Sequence, residues 1–163
     1  GPLCHFGLRR DGTVVIIAAG RANHAGDAQR SGSVAAGDGN ELYIGIEAYN
    51  DGLGEKFSAE QYNAYVLLCA VLCVDFTENS VNTVRTHKET SVTGKVDPRF
   101  DMDNFRREVG DTMRRLGSSD PQKPSRGKQV DGAIRKLKKA SGSGERGERI
   151  KDALKKLMGI KPL

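Results

Sequence analysis

The sequence predicts an α/β domain followed by a short basic helical appendage. Three observations predict it. Apolar β-type runs alternate with two amphipathic helical periods up to residue 117, the composition then turns to Gly, Ser, Pro and charge, and the charge balance changes at the same place. Residues 1–117 carry 13 Lys and Arg against 16 Asp and Glu, whereas residues 118–163 carry 13 against 5, so the net +5 comes from the tail. With 37% hydrophobic residues over 163 positions, the chain can bury one core and a small extension.

The first element is a hairpin. Leu3–Leu8 and Thr13–Ala18 are apolar runs flanking Arg9-Arg10-Asp11-Gly12, and Asp-Gly between such runs signals a tight turn. Residues 20–40 are rich in Gly, Ala, Ser and Asn without a sustained period, which predicts a long surface loop. Leu42–Ala48 reads as a buried strand carrying Glu47 near its end, before the turn-like Asn50-Asp51-Gly52. A helix is predicted from Ser58 to about Phe76, with Ser58 and Gln61 in a capping-box pattern. Its apolar positions are Tyr62, Tyr65, Val66, Cys69, Leu72, Cys73 and Phe76. Val81–Arg85 reads as a short strand, and Asp101–Leu116 as an amphipathic helix with Phe105, Val109, Met113 and Leu116 on one face, started by Asp101 or Asp103.

A domain boundary is expected near Gly117, giving a first domain over 1–117, a linker over 118–128 and a basic helical appendage over 129–163. Within the appendage, Val130, Ile134 and Leu137 mark one helix and Ile150, Leu154, Leu157 and Met158 another, separated by Ser141-Gly142-Ser143-Gly144, so a helical hairpin is expected. No window has the apolar length of a membrane span; the longest, Tyr62 to Phe76, is interrupted by Asn63 and Asp75, and a soluble protein is expected. Cys4, Cys69 and Cys73 match no metal-finger spacing, and Cys69 and Cys73, four apart in an apolar run, are expected to pack as small hydrophobes. The chain begins at Gly1-Pro2-Leu3 rather than at Met, which leaves a leader or an upstream domain open.

The densest chemistry lies in Thr86-His87-Lys88-Glu89 and, five residues on, Lys95-Val96-Asp97-Pro98. An imidazole and a carboxylate suit zinc, and a neighbouring ammonium can stabilise an oxyanion, so this loop-like segment reads as part of a hydrolytic metal site. Taken alone, without the other motifs, it reads sooner as a polar loop with a solvated Lys88–Glu89 pair than as a metal site. Glu47, ending a run of Leu, Ile and Gly, is harder to explain as structure, because a carboxylate there risks burial without a partner. His24 in its polar loop has a plain alternative role in holding that loop, and His5 on its strand is expected to be a satisfied structural histidine.

Six motifs recur in one order: Pro2-Leu3-Cys4-His5-Phe6; Arg10-Asp11-Gly12-Thr13-Val14; Gly20-Arg21-Ala22-Asn23-His24-Ala25-Gly26; Ile44-Gly45-Ile46-Glu47-Ala48; His87-Lys88-Glu89; and Lys95-Val96-Asp97-Pro98 leading to Phe100-Asp101-Met102. Over residues 2–110 the chain thereby resembles the zinc-dependent N-acetylmuramoyl-L-alanine amidases of the amidase-2 and peptidoglycan recognition protein family, in particular the amidase domains of actinobacteriophage endolysins. The resemblance implies a central mixed β-sheet packed by α-helices. It also implies that His87 and Asp97 are zinc ligands, that Lys95 stabilises the oxyanion, that Glu47 is the general base, and that His24 and Asn23 line a groove for the muropeptide. The implied reaction is hydrolysis of the amide between N-acetylmuramic acid and L-alanine in bacterial peptidoglycan. Family members carry a first zinc ligand as a histidine in an opening strand, usually His-His-Thr, ahead of the hairpin found here. The catalytic domain is therefore expected to be N-terminally incomplete, and His5 is not expected to replace that ligand.

The runner-up is a peptidoglycan-binding module without catalysis, as in non-lytic peptidoglycan recognition proteins. The tail suits anionic wall polymers or a merely solvated extension. It contains no aromatic residue, so specific nucleic-acid binding is not expected. A monomer is expected, and the resemblance implies a phage lysin that accumulates in the host cytoplasm and acts on the wall after the membrane is permeabilised.

Overall fold

The computed structural model describes residues 1–52, 54–77 and 79–117. The linker and appendage expected over 118–163 lie outside the described residues. Gly1–Met113 forms one compact unit.

The predicted hairpin is present with shorter arms: β1 (Phe6–Leu8) pairs antiparallel with β2 (Val14–Ile16), Phe6 opposite Ile16 and Leu8 opposite Val14. Gly12 turns the chain at φ 82° and leaves no space for a Cβ, which would meet the Glu60 carbonyl. The segment at 20–40 is more ordered than a plain surface loop. It contains a two-stranded ladder, β3 (Asp27–Ala28) with β4 (Gly37–Asp38), and the one-turn helix α1 (Gly39–Leu42). Short polar side chains build it: Asp38 caps α1 through the Asn40 N–H, while Asn40 Oδ1 accepts from the N–H groups of His24, Ala25 and Gly26 at 2.8, 2.8 and 3.2 Å.

Because Leu42 belongs to α1, the expected strand at 42–48 contracts to β5 (Ile46–Ala48), parallel to β1 with Glu47 opposite Gly7. It is half-exposed rather than buried. The three-stranded mixed sheet has the order β2-β1-β5, and with the helices below it gives the α/β architecture expected.

Helix α2 (Ala59–Phe76) is capped by Ser58, which accepts from the Gln61 N–H. Gln61 does not complete the expected capping box. Its side chain, fully buried, donates to Leu8 O and Tyr49 O at 3.1 Å each, tying α2 to the ends of β1 and β5. The helix is buried around most of its circumference from Leu68 to Cys73, whereas Phe76, expected in the core, is 65% exposed. Cys4, Cys69 and Cys73 are free and buried, as core packing requires, and burial raises the thiol pKa of each.

Val81–Arg85 is not a strand. Val81–Thr83 forms one 3-10 turn because the Ser80 hydroxyl accepts from the Asn82 N–H and holds the backbone curled. The His87 segment is likewise not a loop: α3 (His87–Thr90) is a single helical turn. Helix α4 (Met102–Gly117) follows, with Asp101 Oδ1 accepting from the Asp103 and Asn104 N–H groups at its start. Phe105 and Val109 bury its apolar face as expected, joined by Thr112. Phe100 and Phe105 meet the α2 rings of Tyr62 and Tyr65 with centroids 5.2–6.3 Å apart, clasping the chain after Asp97 against α2.

Candidate active site

The site is built around the α3 turn. Thr86 accepts from the Glu89 N–H, and Glu89 Oε2 accepts in return from the Thr86 N–H at 3.1 Å, a reciprocal capping box. Glu89 is no solvated partner of Lys88. Both oxygens of its carboxylate accept from the single Arg106 Nη2 of α4, and Oε1 lies 3.6 Å from Arg85. Arg106 also donates to Val84 O at 3.0 Å, so one guanidinium fixes both the approach to the turn and its cap.

That turn aims His87. Its Nε2 lies 2.7 Å from His24 O, and since a carbonyl only accepts, Nε2 carries the hydrogen. Its Nδ1 faces Asp97 Oδ2 at 2.8 Å, and the Lys88 N–H donates to Asp97 O at 3.0 Å. His87 and Asp97, ten residues apart in sequence, therefore meet directly. Glu47 faces them from the middle of β5. Its tip opens to solvent, but the protein around it desolvates the carboxyl and raises its pKa. The charges of His87 and Lys95 oppose that rise and Asp97 adds to it, so all four predicted residues share one electrostatic neighbourhood.

His24 stands beside this group. Its ring packs on Gly45, where a Cβ would collide with it, and lies edge-on to His5 with centroids 5.2 Å apart. Burial lowers the His24 pKa, and the neighbouring charges of His5 and His87 act in the same direction. His5 accepts from the Gly45 N–H through Nδ1 at 3.0 Å, the structural role expected of it. Asn23 is exposed, tied by its backbone N–H to Pro2 O, and lies apart from the cavity that His24, His87 and Asp97 border. Sequence reasoning missed Glu89 and Arg106 as supports of the site; Thr86-x-x-Glu89 carried the capping signal, whereas nothing local pointed to Arg106.

The donors present match zinc in kind and fall short in number. Among the described residues, no group of three or more His, Cys, Asp or Glu side chains is placed to hold a metal ion. A catalytic zinc takes three protein ligands and keeps one position open, and His87 with Asp97 supplies two. These residues alone do not fit a complete zinc centre.

Among the described residues, no helix is long and apolar enough to cross a membrane. No curated protein and no solved structure matches the chain significantly. Residues 1–100 match the Amidase_2 family, described as N-acetylmuramoyl-L-alanine amidase. That match spans the hairpin, β5, the α3 turn and Asp97, and the chain belongs to this amidase family, whose substrate is peptidoglycan.

Proposed function

We propose that this chain cleaves the amide between N-acetylmuramic acid and L-alanine, as the wall-lytic amidase of a phage that acts from the host cytoplasm once the membrane is permeabilised. The observation that carries this reading is Glu47, in the middle of β5, whose carboxyl lies within the electrostatic reach of His87, Asp97 and Lys95. As a carboxylate, Glu47 takes a proton from water as its oxygen bonds to the muramoyl carbonyl carbon. The Lys95 ammonium stabilises the resulting oxyanion, and protonated Glu47 passes its proton to the alanine nitrogen as the C–N bond breaks. The products are a muramoyl carboxylic acid and a free alanine amine, and the acid proton passes to the amine to leave a carboxylate and an ammonium. A positioned base of this kind contributes about 100- to 10,000-fold. His24 would border the bound muropeptide, with Asn23 farther out on the same loop.

His87 and Asp97 are the donors this chain would offer zinc, and a catalytic set would need a third from outside the described residues. That shortfall favours a second reading, a peptidoglycan-binding module that retains the groove without hydrolysis. Purified cell walls incubated with the protein separate the two. New alanine amino groups, together with about one zinc per chain by elemental analysis, support the enzyme; saturable wall binding with neither supports the module. The basic tail, in either case, is proposed to hold the domain near anionic wall polymers.

A further inference from the structure

Phe6, Leu8 and Val14 are buried on the sheet face that packs against α2. Side chains alternate between the faces of a strand, so Gly7 of β1 and Glu47 of β5, paired in register, share the opposite face. Tyr49 follows Glu47 on that face, about 6.6 Å farther along the chain at the rise of a strand. Its N–H donates to Leu8 O at 2.8 Å and keeps it in line with β5. A Cβ on Gly7 would lie 3.0 Å from Tyr49 Oη and 3.2 Å from both Tyr49 Cε1 and Ile17 Cδ1. Tyr49, just past β5, and Ile17, just past β2, therefore meet over the bare backbone of β1. They remain 47% and 43% exposed, an apolar strip that crosses the sheet beside Glu47.

The scissile amide joins a sugar to a peptide, so a surface one step from Glu47 meets one or the other. A pyranose presents a flat face of polarised C–H bonds, and these suit the negative face of an aromatic ring. The peptide begins with alanine, whose single methyl is too small to cover Tyr49 and Ile17 together. The lactyl arm between the sugar ring and the scissile carbonyl is short, on the scale of the step from Glu47 to Tyr49. Flatness, chemistry and spacing all favour the sugar.

We infer that Tyr49, flanked by Ile17, is the platform on which the N-acetylmuramic acid ring stacks while its lactyl carbonyl stands at Glu47. This rests on the proposed muramoyl substrate, and it holds for an enzyme and for a binding module alike. Tyr49 is then a specificity-determining residue, one that selects the sugar side of the amide. Gly7 supports it, because any side chain there would lift the ring off the sheet.

The test titrates N-acetylmuramoyl-L-alanyl-D-isoglutamine into the 163-residue chain carrying Glu47→Gln, with L-alanyl-D-isoglutamine as the sugar-free control, and follows the Tyr49 ring resonances by NMR. The muramoyl ligand should shift them and the control should not. Tyr49→Ala in the same background should weaken muramoyl binding about fivefold or more, whereas Tyr49→Phe, which keeps the ring, should stay within about twofold. Both changes are at an exposed position and should leave the unfolding temperature nearly unchanged. Unmoved Tyr49 resonances at millimolar muramoyl ligand, equal shifts with the control, or unchanged affinity in Tyr49→Ala overturns the platform. Shifts that grow with protein concentration without ligand assign the strip to a second copy of the chain, and overturn it too. A wild type that releases no alanine amine while the titration succeeds refutes the enzymatic reading alone; hydrolysis with a failed titration refutes the platform alone.

Discussion

Glu89→Ala should destabilise the domain by about 3 kcal/mol, and the structure indicates where that energy resides. The substitution removes the side chain that accepts from the Thr86 N–H, a capping contribution of about 1 kcal/mol. It also strips Arg106 Nη2 of the carboxylate it donates to. The Arg106 and Glu89 side chains are 15% and 27% exposed. That is drier than the surface pairs worth about 0–1 kcal/mol and wetter than the buried pairs whose rupture costs about 3–5, so a loss of about 2 kcal/mol is expected. For a chain of this length the total lowers the unfolding temperature by about 6–12 °C. Urea unfolding of the wild type, Glu89→Ala, Arg106→Ala and the double variant gives the cost and the coupling together. The coupling should reach about 1.5 kcal/mol or more, and the His87 ring resonances should shift in Glu89→Ala as the α3 turn frays. A cost within about 0.5 kcal/mol of zero, or a coupling near zero, would refute the view that α4 holds the His87 turn through this pair.

Glu47→Gln should reduce amide hydrolysis about 100-fold or more yet stabilise the fold at neutral pH, a pairing that simple unfolding cannot produce. The sign follows from its raised pKa: the favourable contribution is complete below the ordinary value of 4.5 and is lost as pH rises through the raised one, so the neutral glutamine avoids the loss. Wild-type hydrolysis should likewise climb with pH through a midpoint above 4.5, as Glu47 becomes the carboxylate. Gly45→Ala should cost about 1–3 kcal/mol by thermal unfolding, because the new Cβ strikes the His24 ring and the loop that Asn40 holds must shift. Removal of residues 118–163 should weaken wall binding at low salt and flatten its salt dependence; unchanged binding from low to high salt would remove the tail from the account.

The elements legible in the sequence were those whose cause is local. The hairpin followed from Asp11-Gly12 between apolar runs, and α2 and α4 from their periods and from Ser58 and Asp101 at their starts. Val81–Arg85 misled because its β-branched residues favour a strand, while a single hydroxyl, that of Ser80, decided the turn. Gln61 sits at a capping-box position, yet its amide spans 53 residues to reach Leu8 O, and no local pattern encodes such a partner. The site shows the same division. His87, Asp97, Lys95 and Glu47 were named from motifs, and the structure brings them into one neighbourhood. The contacts that aim them, Arg106 to Glu89 and His87 to His24 O, link positions 17 and 63 residues apart and appear only once the chain is folded.

The most direct test of the account is the release of alanine amino groups from purified peptidoglycan by the wild-type protein and by Glu47→Gln, with the binding of each to the same walls measured in parallel. The account predicts hydrolysis by the wild type, loss of about 100-fold or more in the variant, and equal wall binding by both. Equal hydrolysis by the two proteins, or saturable binding by both with no amide cleaved by either, would contradict it.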